Sequence, residues 1–200
     1  MFESGLYGAK TIFVVTVVIS LLGLFQLPKI IDQCLFRPYW FLKRKQYDTV
    51  ILSGFVHADL GHLAMNMITF YFFAFELERR LGTVPFVVLY VFGLIASSIY
   101  TWYRHHANPN YATLGASGAI AAVLFAYIVY EPFSTLMILP LPVPIPAFVF
   151  AFCYVGYSYW ASKNAGGNIN HDAHLWGAIS GLIFVLLYDP SAYRALLNQF

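Results

Sequence analysis

The charged residues of this 200-residue chain are clustered, and long apolar stretches separate the clusters. Lys, Arg, Asp and Glu are absent from the 18 residues after Lys10, the 23 after Arg80, the 26 after Arg104 and the 31 after Glu131. A helix needs about 20 mostly apolar residues to cross a bilayer. Because a helix satisfies all of its backbone hydrogen bonds internally, it is the natural spanning element. The pattern predicts an all-α, polytopic membrane protein.

We predict one six-helix membrane domain over residues 1–200, with spans at residues 11–27, 58–77, 84–103, 115–131, 146–161 and 172–188. The first apolar segment lacks a small-x-small cleavage site at its exit, which favours a retained span over a signal peptide. Prolines at 140, 142, 144 and 146 exclude a regular helix before Pro146, whereas proline is tolerated in a first turn. Residues 28–57 interleave cations with aromatic residues, so we expect them to lie on the membrane surface.

Composition narrows the class of protein further. The chain is 60% hydrophobic and only 10% charged, whereas soluble domains carry about a quarter charged residues. A net charge of +2 offers no basis for nucleic-acid binding. Cys34 and Cys153 are far apart and have no metal-like spacing, so neither a disulfide framework nor a thiolate site is predicted.

Polar side chains within the predicted spans are the candidate functional residues, because they are costly in a bilayer. His62 and Asn66 are four residues apart and share one face of the second span, about 40° apart around the axis, whereas His57 points elsewhere. An alternative is that His62 and Asn66 only form hydrogen bonds to neighbouring helices.

The remaining candidate functional residues, Ser117 and His174, lie on faces of small residues in the fourth and sixth predicted spans. Ser117 stands between Gly115 and Gly118, where a loop turns into the fourth span. The small face of the fourth span comprises Ser117, Gly118, Ala121 and Ala122; that of the sixth comprises His174, Gly177, Ala178 and Gly181. Small residues allow helices to approach closely. If the two faces pack, Ser117 and His174 come within hydrogen-bond reach, as a nucleophile and its base require.

No carboxylate is predicted to orient the base. Asp172 lies two residues before His174, about 200° around a helix, and so points away from the small face. The residues therefore indicate a Ser-His pair without an acid.

These motifs together resemble the rhomboid family of intramembrane serine proteases, over nearly the whole chain. "HADLGHLAMN" is similar to the family's His-x4-His-x3-Asn pattern, "GASG" to its Gly-x-Ser-Gly and "AHLWGAISG" to its Ala-His-x2-Gly-x3-Gly. "ELERRLG" resembles the family's Glu-x-Arg-x-Gly exit from the second helix.

The resemblance implies a rhomboid bundle of the minimal bacterial type that cleaves transmembrane segments of other proteins through an acyl-enzyme. It implies that Ser117 is the nucleophile and His174 the general base. His62 and Asn66 would stabilise the oxyanion, with help from the Ser117 backbone N–H, and His57 would be structural.

Four glycines would shape the site: Gly115, Gly118, Gly177 and Gly181. The implied partners are transmembrane substrates and the lipid bilayer, with no cofactor and no metal.

Two departures from the family pattern carry expectations of their own. Many members have an aromatic residue four positions after the serine, stacked on the base, where this chain has Ala121. We expect another side chain, Trp176 or a tyrosine from elsewhere, to fill that place. A Trp-Arg pair of many members is replaced by Asp48 and Thr49, so the first loop is expected to be anchored differently, by Tyr39, Trp40 and Arg44.

Orientation is a point of conflict. The resemblance implies a bacterial inner membrane, both termini cytoplasmic and a site that opens outward. That orientation leaves four cations on the inner side (Lys10, Arg79, Arg80, Arg194) and seven on the outer (Lys29, Arg37, Lys43, Arg44, Lys45, Arg104, Lys163). The positive-inside rule predicts the reverse. We adopt the family orientation because five of the seven outer cations lie in residues 28–57.

Three other classes of function compete with a serine protease. A zinc protease would use histidines and an acid from among His57, His62, His171, Asp172 and His174, but the chain has no His-Glu-x-x-His motif. A rhomboid-like protein that binds or escorts membrane clients typically lacks the serine or the histidine, and this chain keeps both. A transporter is disfavoured because the hydropathy has no two-half symmetry.

Overall fold

The computed structural model of the protein describes residues 6–138, 141–164 and 169–199. Those ranges contain helices, one β-hairpin and connecting loops. The helices are α1 (Tyr7–Phe25), α2 (Lys29–Cys34), α3 (Pro38–Lys43), α4 (Thr49–Leu52), α5 (Leu60–Leu81), α6 (Thr83–His105), α7 (Ser117–Tyr130), α8 (Ala147–Asn164), α9 (His171–Tyr188) and α10 (Pro190–Leu197). The fold is therefore helical, as predicted.

Three of the described helices, α1, α5 and α6, are long and apolar enough by length and composition to cross a membrane. The number rises to four if α9 and α10, which meet at 103°, form one bent span. At 14 residues, α7 is only about 21 Å long, against about 30 Å of hydrocarbon. The protein is thus a multi-pass membrane protein, while the predicted count of six spans is not confirmed.

The segment between α1 and α5 folds into α2, α3, α4 and a 3-10 turn at Ser53–Phe55. One attachment of this segment to the rest of the protein is Phe36, which is buried and exchanges two backbone hydrogen bonds of 3.0 Å with Thr113. Of the expected anchors, Tyr39 and Trp40 lie on α3, which packs against α6. The Arg44 guanidinium lies 3.8 Å from the Trp40 ring, and the Trp40 and Tyr39 rings meet edge to face. An apolar side chain gains more from burial than a cation, which favours solvent or headgroups.

The proline-rich segment before α8 forms an antiparallel hairpin of β1 (Thr135–Ile138) and β2 (Leu141–Pro146). Pro140 lies outside the described residues. Because proline fixes φ and lacks an N–H, alternating prolines are incompatible with a helix interior. Helix α8 accordingly begins at Ala147, directly after Pro146.

Helix α7 is the centre of the bundle and α8 is peripheral. Helices α5, α6 and α9 pack around α7, of whose 14 residues 11 are buried. Only Ala147, Ser158 and Ala161 are buried among the 18 residues of α8. Helices α5, α7 and α9 run in the same direction, so their N-termini lie at one end of the bundle. The candidate residues occur at this end.

The opposite end is pinned by Glu78, whose carboxylate is buried at the end of α5. It accepts hydrogen bonds from the backbone N–H groups of Gly8 (2.9 Å) and Ala9 (2.7 Å) and from the Thr83 hydroxyl (2.6 Å). A carboxylate is favourable at the positive N-terminus of a helix. The "ELERRLG" motif thereby attaches α1 to the turn between α5 and α6.

Candidate active site

The turn that leads into Ser117 is held from two sides. The Gly115 N–H donates a 2.8 Å hydrogen bond to the Ser53 carbonyl. Gly115 has φ +110°, and a Cβ there would lie 2.6 Å from Cε1 of His62. Only glycine combines this backbone conformation with this contact. The His62 imidazole therefore lies directly against the turn before Ser117.

The N-terminus of α7, where Ser117 is the first residue, has no side-chain cap. Helices α5 and α9, whose N-termini lie at the same end, are capped: Asp59 accepts from the His62 N–H (2.8 Å) and Asn170 from the Ala173 N–H (3.0 Å). Ala116, at the N-cap of α7, has no side-chain acceptor. The first-turn N–H groups of α7 and the positive end of its dipole are thus available beside the Ser117 hydroxyl. Such donors can stabilise an oxyanion.

Glycines bring α7 and α9 into backbone contact. A Cβ on Gly177 would lie 2.1 Å from the Gly118 carbonyl oxygen, and one on Gly181 would lie 2.1 Å from that of Ala122. The predicted contact between the two small faces is therefore present. It places the first turn of α9, which carries His174, beside the first turn of α7.

Aromatic rings contact the His174 imidazole. Its centroid is 6.4 Å from that of Tyr154, with 25° between the rings, and 5.9 Å from that of His171. No hydrogen bond joins Ser117 to His174 in the described part of the chain, and catalytic hydrogen bonds often tighten only when substrate binds. Asp172 lies 3.4 Å from Arg104 in an ion pair.

The predicted oxyanion residues differ in their surroundings. Asn66 is 7% exposed, and its side-chain amide donates a 3.0 Å hydrogen bond to the His62 carbonyl of its own helix. One Asn66 N–H is therefore committed within α5, whereas the His62 ring lies against Gly115 in the turn before α7.

His57 supports His62 from behind. It is fully buried, and its Nδ1 lies 3.0 Å from the Ser20 hydroxyl of α1, which also donates to the Phe55 carbonyl. Its ring meets His62 edge-on, with centroids 4.9 Å apart. Burial, reinforced by His62 and opposed by Asp59, lowers the pKa of His57 to about 3. His57 is thus neutral at physiological pH.

A polar cavity of about 30 Å³ adjoins Ser117 and Gly118. Its other polar lining residues are Ser53, Ser97, Ser98, Thr101, Thr113 and Asn170. One water needs about 10–15 Å³ and two or more polar partners, and the cavity offers both.

Sequence reasoning did not identify two residues of this region. Tyr154 lies beside His174; the only signal for it was the missing aromatic at Ala121, which did not say which helix supplies the ring. Trp176 stacks on Tyr100 instead, at 4.6 Å. Asn170 caps α9 and donates a 3.0 Å hydrogen bond to Thr101; an asparagine just before an apolar helix was its signal.

Among the described residues, no group of three or more His, Cys, Asp or Glu side chains is arranged to hold a metal ion. Ser117, the neighbouring turn of α9 and the uncapped N-terminus of α7 could instead supply a nucleophile, a base and hydrogen-bond donors.

Comparisons with known proteins identify relatives of the chain. A family profile described as "Rhomboid domain" matches residues 44–190. The chain is 31% identical over 173 residues to "Rhomboid protein 1, mitochondrial" of Saccharomyces cerevisiae, covering 83% of this chain and 49% of that protein. It is 30% identical over 152 residues to "RHOMBOID-like protein 12, mitochondrial" of Arabidopsis thaliana, covering 68% and 45%.

A human protein, "Presenilin-associated rhomboid-like protein, mitochondrial", is 32% identical over 147 residues, covering 68% of this chain and 36% of its own length. The matches thus span about half or less of these relatives. All three are mitochondrial proteins by name, so the predicted bacterial type and bacterial inner membrane are not supported.

Proposed function

Because the chain belongs to the rhomboid family, whose members are generally intramembrane serine proteases, we propose that it is a serine endopeptidase that cuts transmembrane segments of other proteins. The observation that carries the proposal is the glycine contact between α7 and α9, which sets Ser117 beside the helix turn of His174. We assign residues 1–200 to one membrane protease domain.

In the first step, His174 removes the proton from the Ser117 hydroxyl as Oγ attacks the carbonyl carbon of the scissile peptide bond. The carbonyl oxygen takes the negative charge. When the tetrahedral intermediate collapses, the C–N bond breaks, and the leaving amine takes the proton from His174. The product is an acyl-enzyme on Ser117.

The open N-terminus of α7 is the first source of oxyanion stabilisation. Its free N–H groups already point along the helix axis, so they need no reorganisation during the reaction. His62 supplies a further donor from the adjacent face, and Asn66 one from the N–H that the backbone does not use. Loss of one such donor typically costs about 3 kcal/mol of transition-state stabilisation.

The polar cavity beside Ser117 serves the second half of the reaction. A water held there by hydroxyl and amide groups attacks the acyl carbon, while His174 takes its proton and returns it to Ser117 Oγ. The acid product then leaves.

The substrate class follows from backbone chemistry. In a stable transmembrane helix every backbone amide is hydrogen-bonded and inaccessible. A substrate segment must therefore unwind locally, so we propose preferential cleavage of segments with helix-loosening residues, near the membrane surface.

Labelling with a fluorophosphonate probe in detergent tests the nucleophile, base and oxyanion site together. We expect the parent to be labelled and Ser117→Ala and His174→Ala not to be, with cleavage of a model transmembrane substrate lost in parallel. Because the two residues act as a unit, the double variant should be hardly worse than either single one.

Ser162→Ala is the matched control, since this hydroxyl is exposed on α8 and only bonds to the Tyr159 carbonyl. It should be labelled like the parent. Near-parental cleavage by folded Ser117→Ala protein would rule out the serine-protease assignment.

A second candidate function is binding or escort of membrane clients without cleavage. It is favoured by the absence of a Ser117–His174 hydrogen bond in the described residues. Unlabelled parent protein that still co-purifies with an intact model transmembrane segment would support this function over proteolysis.

We also propose that both termini face one side of the membrane and the site the other. A membrane-impermeant thiol reagent on sealed vesicles tests this in a background lacking Cys34 and Cys153. Asn110→Cys, at the site end, and Gln199→Cys, after α10, should react from opposite sides; reaction of both from one side would contradict the assignment.

A further inference from the structure

The orientation of the His174 imidazole rests on packing. In the described part of the chain the ring has no hydrogen bond to a carboxylate: Asp172 is turned away and paired with Arg104. The nearly parallel ring of Tyr154 and the edge-on ring of His171 are its aromatic contacts. The χ2 torsion of histidine has a broad energy minimum, so a flat neighbour restricts the ring where no hydrogen bond does.

Tyr154 is itself held in place by α7. Its ring lies 5.3 Å from that of Phe125, which is 2% exposed, and 5.6 Å from that of Phe150. Ala121, one turn before Phe125, belongs to the same apolar cluster. A small residue at that position leaves room for a ring that comes from α8.

We infer that Tyr154 is a positioning residue for the base His174, and that it makes the orientation of the base depend on the seating of α8. The inference rests on the proposed proteolytic function. Helix α8 buries few side chains, and Tyr154 is one of the α8 residues that pack against the apolar cluster around α7, with Phe150, Ala151 and Val155. Displacement of α8 removes the flat contact from His174 and lowers its reactivity with Ser117.

Other aromatic residues near the site do not provide this contact. Trp176 points to α6, where it stacks on Tyr100. Tyr157 contacts His171 edge-on at 5.6 Å. Among the described ring pairs of His174, the one with Tyr154 has nearly parallel ring planes, 25° apart.

The test is the rate of fluorophosphonate labelling, which depends on Ser117 and His174 but not on entry of a transmembrane substrate. Tyr154→Ala should label about 3- to 10-fold more slowly, the range expected from losing one aromatic contact. It should lower kcat for cleavage by a similar factor with little change in KM. Tyr154→Phe should restore the parental rate, because the ring and not the hydroxyl makes the contact.

Tyr159→Ala is the control on the same helix, since that ring is exposed and lies against Lys163. It should label like the parent. Melting temperatures of all variants identify a loss caused only by unfolding, and rates are compared per folded molecule.

A double variant tests whether an aromatic ring from α7 can replace the ring of Tyr154. In the Tyr154→Ala background, Ala121→Phe supplies an aromatic side chain from α7 and should recover part of the labelling rate. Parental labelling by folded Tyr154→Ala protein would overturn the inference while leaving the protease assignment intact. An unlabelled parent would instead overturn the protease assignment.

Discussion

The contact between α7 and α9 and the attachment of α8 are two different solutions to packing in one bundle. Where α7 meets α9, glycine and alanine bring backbones together, and 11 of the 14 residues of α7 are buried. Helix α8 instead carries large exposed side chains, among them Phe152 (78% exposed) and Trp160 (56%). A rigid backbone contact and a peripheral aromatic helix thus lie on either side of the candidate base.

The two regions differ in what holds the helices together. Within a membrane, lipid is as apolar as leucine, so close van der Waals contact between small residues is what holds helices together. That contact fixes the distance between α7 and α9. Helix α8 has little such contact, so its position can change at a smaller cost.

The largest effect that separates the two regions should come from glycine substitutions. In Gly181→Ala the new Cβ would lie 2.1 Å from the Ala122 carbonyl oxygen. No side-chain rotation relieves a clash with backbone, so the helices must separate. Overpacking typically costs about 1–3 kcal/mol and more where neighbours cannot move. We expect loss of most folded protein, measured as yield and melting temperature in detergent.

Gly156→Ala on α8 is the matched control, because a Cβ there meets nothing within 4 Å. Alanine in place of glycine inside a helix should stabilise it by up to about 1 kcal/mol. Equal melting temperatures for the two variants would remove the distinction between the two regions.

A smaller effect is expected where the two regions meet, at Ala121. This side chain is 3% exposed and clusters with Phe125 and Tyr154. In the parent, Ala121→Phe should overfill the space, destabilise the protein by about 1–3 kcal/mol and reduce activity. Thermal unfolding and the rate of substrate cleavage measure the two consequences.

Phe152→Ala removes a larger side chain from an exposed position on α8 and should change stability less. If Ala121→Phe were as stable as the parent and faster, the space beside His174 would be empty, and the role assigned to Tyr154 would be unnecessary.

The third and smallest effect is the pH dependence of stability that comes from the buried His57, which lies between α1 and α5. Burial lowers the pKa of His57 from its usual 6.5 to about 3. The unfolded chain therefore binds one more proton than the folded chain between these values, and stability falls as pH falls through that window. At pH 5 the loss relative to pH 7 is about 2 kcal/mol from this residue.

Melting temperatures of the parent and of His57→Gln at pH 5 and 7 measure this contribution. The variant should be less stable than the parent at pH 7, because it disturbs the contacts with Ser20 and His62, yet it should lose less stability on acidification. An unchanged pH dependence would show that His57 does not carry the titration.

Several features of the protein follow from local properties of the chain. The helical, membrane-spanning character rests on the length of uncharged stretches, and the start of α8 after Pro146 rests on proline geometry. The α7–α9 contact was predictable because residue size is visible in the sequence: Gly118, Gly177 and Gly181 allow the backbones of two helices to meet. The family resemblance points to Ser117 and His174 because each lies in a short motif that can be read directly from the sequence.

Other contacts between distant groups were decided by tertiary structure alone. Glu78 binds the N–H groups of Gly8 and Ala9, about 70 residues away, and no periodicity encodes that pair. Ala121 shows from the sequence that the aromatic residue of many family members is absent at this position. Which residue lies beside His174 in its place, Tyr154, depends on the packing of α8 against α9. The length of α7 is likewise a tertiary result: an irregular approach held by Phe36 and Ser53 allows the helix to begin at Ser117, inside an apolar stretch that by itself predicted a longer span.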